Sequence, residues 1–202
     1  MSAKSGFSDE LDRALNGLIR QLWAHDPDTA QHASAVTALG QAVGRHLDLA
    51  PGDAEALELG AQLHDIGKLL IPEEVLRKRE PLSELEWQVM RAHCEYGHRL
   101  ASSLPQVPAG VLEVVLFHHE RWNGTGYPVG RRGRDTPFLA RVLAVCDVYD
   151  ALTGERAYKL PWTSARTLAY LRENAAILFD PTAVEALESL CREREHALFK
   201  AE

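Results

Sequence analysis

The sequence has no run of about 18 apolar residues that could cross a bilayer, and its opening MSAKSGFSDE lacks the apolar stretch of a secretory leader. A cytoplasmic chain with no membrane partner is therefore expected. Cysteine is scarce: Cys94, Cys146 and Cys191 are widely spaced and odd in number, which argues against a disulfide framework and against a thiolate zinc site. Concentrated positive charge is also missing. The 22 Lys and Arg are outnumbered by 29 Asp and Glu, giving a net charge of -7 with no long basic run, so binding to duplex nucleic acid is not expected. A small anionic ligand remains open, because a few cations around bound metal ions act locally whatever the net charge. No internal repeat is visible.

What is present is a helical pattern with 46% hydrophobic residues over 202 positions, enough for one sizeable core. Leu11, Leu15, Leu18, Ile19 and Leu22 predict a helix over residues 8–24, with Ser8 as its N-cap. A second helix is predicted from near Asp28 to about Leu47, with Pro27 suited to its start and Val36, Leu39 and Val43 on one side. The string DAEALELGAQLHDIG predicts a third, whose last turn carries His64 and Asp65 and which Gly67 can end. A helix from about Ser83, with a capping box completed by Glu86, is expected to carry both His93 and Gly97. VPAGVLEVVLFHHE predicts a helix ending near His118 and His119, and RWNGTGYPVGRRGRDTP is too rich in Gly and Pro to be anything but loop. FLARVLAVCDVYDAL reads as a buried helix rather than a strand, being longer than about ten residues and containing frequent Ala. Two last helices follow, one capped by Thr163 or Ser164 and one preceded by Pro181. The expected fold class is all-α, a bundle of about seven or more helices. Residues 1–27 are expected to form a helical extension packed on a core of residues 28–202.

The nine histidines are the unusual feature, because several stand beside acids. An isolated His64-Asp65 pair reads most simply as a capping Asp beside a surface His. Four further groups change that reading: His32 inside an Ala-rich helix, His93 inside another, the pair His118-His119 at a helix end, and Asp147 interrupting an apolar run. A buried carboxylate needs a cation or strong hydrogen-bond donors. A set of imidazoles and carboxylates suits Fe, Mn, Zn and similar ions rather than a thiolate-selected metal.

The strings LHDIGKLLIP with VLRK downstream, HHERWNGTGYP and RVLAVCDVYDALTGERAYK, in that order, resemble the HD-GYP family of HD-superfamily phosphodiesterases over roughly residues 28 to 187. The resemblance implies an HD-superfamily helical bundle that hydrolyses cyclic di-GMP to the linear dinucleotide pGpG and, in some members, to GMP. It implies metal ligands at His32, His64, Asp65, His93, His118, His119 and Asp147, all of the expected residue type. Two divalent ions, Fe or Mn with Zn or Ni as substitutes, are implied as cofactors. Members with a third metal carry Glu one turn before the first ligand histidine. Here that place is Asp28, at i and i+4 with His32, which is one methylene shorter and reads equally well as an acid in the first turn of its helix.

By the same resemblance His64, Asp65 and Lys68 are the catalytic residues. Lys68 resembles the family's lysine that contacts the scissile phosphate, and Arg156 and Lys159 in GERAYK, where the family usually has RPYK and Ala157 replaces the proline, resemble residues that hold the ligand's phosphates. Gly126, Tyr127 and Pro128, with Gly124, form the loop associated with substrate specificity and with a signalling protein partner. The expected mechanism is in-line attack by a hydroxide held between two ions, without a covalent intermediate. Arg131, Arg132 and Arg134 read as a solvated basic patch or as ligand contacts, and Trp122, Phe138, Tyr158 and Trp162 as packing or as surfaces on which guanine stacks. Alternative readings are a cyclic di-GMP sensor without turnover and a hydrolase of another cyclic dinucleotide. No receiver, PAS or GAF-like domain fits before residue 28, and the terminal helices suit either a monomer or a homodimer.

Overall fold

The computed structural model describes residues 9–155 and 160–199, apart from the side chains of Asp9, Asp12, Pro27, Asp28 and residues 194–199. Over that span the chain is all-α. In order, the helices are α1 (Asp9–His25), α2 (Pro27–His46), α3 (Pro51–Leu63), α4 (Glu73–Leu76), α5 (Glu84–Arg91), α6 (His93–Ser102), α7 (Ala109–Phe117), α8 (Phe138–Thr153), α9 (Ser164–Glu173) and α10 (Pro181–Phe199). Short 3-10 turns at Ile66–Leu70 and Gly133–Asp135 complete the elements, and the described residues pair as β only in two isolated bridges. No described helix is long and apolar enough to cross a membrane.

α8 lies at the centre, packed against α2, α3, α7, α9 and α10. That position explains its dense apolar composition, because a helix covered on every side has no polar face to show. Leu139, Val142, Leu143, Val145 and Cys146 are all buried, and so is Asp147. α1 lies across α2 and the first 3-10 turn, burying Leu11, Leu15, Ile19 and Leu22. Each such side chain contributes about 1.5–3 kcal/mol when fully buried. Capping follows local chemistry: Asp26 accepts from the Thr29 N–H at the start of α2, Ser83 and Glu86 form the reciprocal capping box of α5, and Thr163 caps α9.

Two expected helices end early, and both corrections bear on function. α3 stops at Leu63, so His64 is its C-cap and Asp65 lies outside it, with φ -97° and ψ 6°. Gly67 does not terminate that helix. It lets the 3-10 turn press against α6, where a Cβ would stand 1.9 Å from the His93 carbonyl oxygen and 2.5 Å from the Gly97 nitrogen. The helix expected to run from Ser83 through His93 is two helices that meet at Ala92. There the Ala92 N–H donates to Val89 at 3.2 Å, and His93 becomes the first residue of α6.

Candidate metal centre

Helix ends generate the site. The last carbonyls of an α-helix have no intrahelical partner. At three of these ends a histidine ring takes up the role of donor: His64 Nδ1 to Ala61 O at 2.7 Å, His93 Nδ1 to Met90 O at 2.8 Å and His118 Nδ1 to Val115 O at 2.9 Å. A carbonyl can only accept, so each Nδ1 carries the proton and each Nε2 presents a lone pair. All three histidines are at most 2% exposed.

These lone pairs converge. His32, His64 and Asp147 form one group, and His93, His118 and His119 a second, with ligand atoms inside each group within 4.8 Å of one another. Asp65 lies between them, its Oδ2 3.3 Å from His64 Nε2 and its Oδ1 3.5 Å from His93 Nε2. Asp147 also spans the groups, with Oδ1 2.9 Å from His32 Nε2 and Oδ2 4.0 Å from His119 Nδ1. His64 Nε2 is buried without a hydrogen-bond partner. Inward-facing lone pairs and carboxylates without enough protons to join them fit divalent cations, so the two clusters are capable of coordinating metal ions.

At His93, His118 and His119 the local electrostatics favour the neutral ring. Burial holds His118 and His93 below the ordinary imidazole range and pushes His119 down to about 3. Burial works against ionisation of Asp65, but Lys68, His64 and His93 outweigh it and hold the carboxyl well below its usual range. Lys68 Nζ lies 2.7 Å from Asp65 Oδ2 and 3.5 Å from Thr29 Oγ1. Cys94 Sγ lies 3.5 Å from His93 Nε2, but burial raises its thiol, with Asp65 and Glu120 adding to the effect.

The Tyr127 ring covers one side, 4.8 Å from the His119 ring and 6.3 Å from the His93 ring. Gly126 allows this approach, because a Cβ there would lie 2.4 Å from the Arg121 nitrogen and 2.5 Å from the His119 carbonyl oxygen. The other suggested ligand contacts are placed elsewhere or lie beyond view. Trp122 and Phe138 flank the Arg141 guanidinium beside a cavity of about 390 Å³, whose lining also includes Arg134 and no histidine. Trp162 stacks on Arg166 and meets Tyr170, and Arg131 lies over Phe117. Arg156, Tyr158 and Lys159 lie outside the described residues, as does the side chain of Asp28, whose backbone is in the first turn of α2.

The family model described as "HD domain" matches residues 17–183. This chain belongs to the HD family. It is an HD-GYP-like domain of the HD superfamily, 39% identical over 175 residues to the cyclic di-GMP phosphodiesterase response regulator RpfG of Xanthomonas campestris pv. campestris (strain 8004), a match covering 86% of this chain and 46% of RpfG. It is 35% identical to the 3'3'-cGAMP-specific phosphodiesterase 2 of Vibrio cholerae, over 81% of this chain and 32% of that protein. The HD-GYP-like domain thus spans less than half the length of either relative. The solved structure of Bd1817, described as an HDG"Y"P protein from Bdellovibrio bacteriovorus, superposes with a TM-score of 0.66 at 20% identity, covering 90% of this chain and 62% of that one, and shares the fold.

Sequence reasoning missed two acids in this HD-GYP-like domain. Asp150 Oδ2 accepts from His32 Nδ1 at 2.6 Å, so His32 is held between two carboxylates. Burial opposes the imidazolium there, but the hydrogen bonds to Asp147 and Asp150 raise His32 to about 9. The available signal was an acid one turn after Asp147. Glu120, only 5% exposed, accepts the backbone N–H groups of Val129, Gly130 and Arg131 at 2.8–3.1 Å. It ties together the loop that carries Tyr127, and its signal was a carboxylate directly after the two histidines.

Proposed function

We propose that this chain is a metal-dependent phosphodiesterase that opens a cyclic dinucleotide, cyclic di-GMP in the first instance, to linear pGpG and then to GMP. The observation that carries the reading is the position of Asp65, whose two carboxylate oxygens each face the inward nitrogen of one histidine cluster. His32, His64 and Asp147 would hold one ion, His93, His118 and His119 the second, and Asp65 both. Fe or Mn suits this imidazole and carboxylate set, with Zn or Ni as substitutes. Bound there, divalent ions would supply Lewis acidity and a nucleophilic oxygen from water at neutral pH.

The protein groups do the rest. The inward Nε2 atoms and the two spanning carboxylates give the site a fixed polarity before substrate arrives, so little reorganisation accompanies the reaction. Lys68, paired with Asp65, would stabilise the negative charge that develops on the phosphoryl oxygens as the bond to the ribose 3' oxygen breaks. Tyr127 keeps its hydroxyl proton, since burial raises it well above its ordinary range, and closes the site on the side of His119. Arg156 and Lys159 are proposed to hold the second phosphate, and Asp28 to support a third ion only if its shorter side chain reaches.

The similarity to proteins described as acting on cyclic di-GMP and on 3'3'-cGAMP supports a guanine-containing cyclic dinucleotide as the substrate class. The test is turnover of both by protein reconstituted anaerobically with Mn(II) or Fe(II), with bound metal counted on the same sample. Expected is faster hydrolysis of cyclic di-GMP at two or more ions per chain, abolished by Asp65→Ala. Full metal loading with tight ligand binding and no turnover would overturn the enzyme reading in favour of a sensor.

A further inference from the structure

Beyond the metal clusters, a row of flat groups leads outward from the site. The His119 ring meets Tyr127 at 4.8 Å, the Arg91 guanidinium stands 5.7 Å from the centre of the Tyr127 ring, and the same guanidinium stands 5.9 Å from that of Trp87. Arg91 and Trp87 are one turn apart on α5 and share a face. Both are open to solvent, Trp87 at 43%, although a tryptophan ring is costly to leave in water.

The guanidinium is not consumed by the fold. Its two ring contacts are near the outer limit of about 6 Å for cation–π attraction. Among the described residues its one contact with a carboxylate is to Glu84 at 3.9 Å, too long for a hydrogen bond. A planar fork of N–H donors therefore stands next to a partly exposed indole ring, with Tyr127 between it and His119.

Resting on the phosphodiesterase reading above, we propose that Trp87 and Arg91 form the base-reading wall of this site and select guanine. Trp87 supplies the face on which the base stacks, and Arg91 donates to guanine O6 and N7. Adenine presents an amino donor where guanine has O6, so the same fork has one acceptor fewer to meet.

The experiment compares the metal-loaded wild type with Arg91→Ala, Arg91→Lys and Trp87→Ala, measuring calorimetric binding and steady-state turnover of cyclic di-GMP and cyclic di-AMP. Arg91→Ala is expected to weaken cyclic di-GMP binding and raise its KM by about 10- to 100-fold, the range for loss of a bidentate base contact, and to shrink the preference over cyclic di-AMP by a similar factor. Arg91→Lys keeps the charge without the fork and is expected not to restore that preference. Trp87→Ala should weaken both ligands, since stacking is indifferent to the base. An equal loss for both ligands in Arg91→Ala, or no loss in either variant, would overturn the inference. A wild type that binds cyclic di-GMP without hydrolysing it overturns the phosphodiesterase reading alone, and the binding ratio still decides Arg91.

Discussion

His93 Nε2 and His118 Nε2 lie 3.3 Å apart, and each ring donates its Nδ1–H to a backbone carbonyl. Two lone pairs aimed at each other in a buried site repel. The arrangement is favourable once a cation lies near both, so this contact links occupancy of the centre to the stability of the bundle.

Metal removal should therefore destabilise the folded chain. At a Mn(II) concentration of about a thousand times Kd, binding adds about 4 kcal/mol relative to the chelated protein. Scanning calorimetry with and without chelator should show this gain, and His118→Ala should lose most of it. A melting temperature indifferent to Mn(II) and Fe(II) would sink the metal assignment.

Asp150 should act on metal binding through His32. Its carboxylate fixes the ring and increases its basicity, and loss of such outer partners typically costs about 10- to 100-fold in metal affinity. Asp150→Ala should show that loss in a metal titration with little change in the circular dichroism of the helices. Unchanged affinity would mean that Asp147 orients His32 unaided.

A methyl group at position 67 has nowhere to go, because it meets the backbone of α6 rather than a flexible side chain. Gly67→Ala should destabilise by about 1–3 kcal/mol or more, read from urea denaturation, and should also lower metal occupancy by displacing His93. Normal stability would show that the 3-10 turn can retreat from α6.

Glu120 is a buried carboxylate served by three consecutive backbone donors. Glu120→Gln removes the charge and one acceptor oxygen, which should cost about 2 kcal/mol. Hydrogen exchange should speed at Val129, Gly130 and Arg131 before it does in α8. Retained protection would assign those amides to another partner.

The α5 cap should carry a measurable pH signature. The hydrogen bond from Lys78, with further ones from Ser83, lowers Glu86 from 4.5 to about 2. Because the folded value is the lower one, the stabilisation is fully present above about pH 4.5 and is lost as pH falls towards 2. Carboxyl NMR titration should find Glu86 depressed in the wild type and shifted upward in Lys78→Ala. A Glu86 that titrates near 4.5 would mean the pair is not held in solution.

The residue types of the two clusters were legible in the sequence because imidazole and carboxylate chemistry belongs to the residue itself. A histidine in an Ala-rich helix and an acid inside an apolar run are anomalies at any level of structure. Capping was readable for the same reason, since Ser83 and Glu86 act over three residues and need no distant partner. The breaks after Leu63 and at Ala92 were not readable, because local propensity favours continuing both helices and the close approach of Gly67 to α6 is a tertiary contact. Asp150 was likewise hidden, its partner His32 being 118 positions away. The sequence by itself determined which groups could bind a metal and that they would ride on helices. The tertiary structure decided where those helices stop, because a helix end leaves carbonyls without partners. Those carbonyls accept the Nδ1–H hydrogen bonds and turn three Nε2 atoms inward.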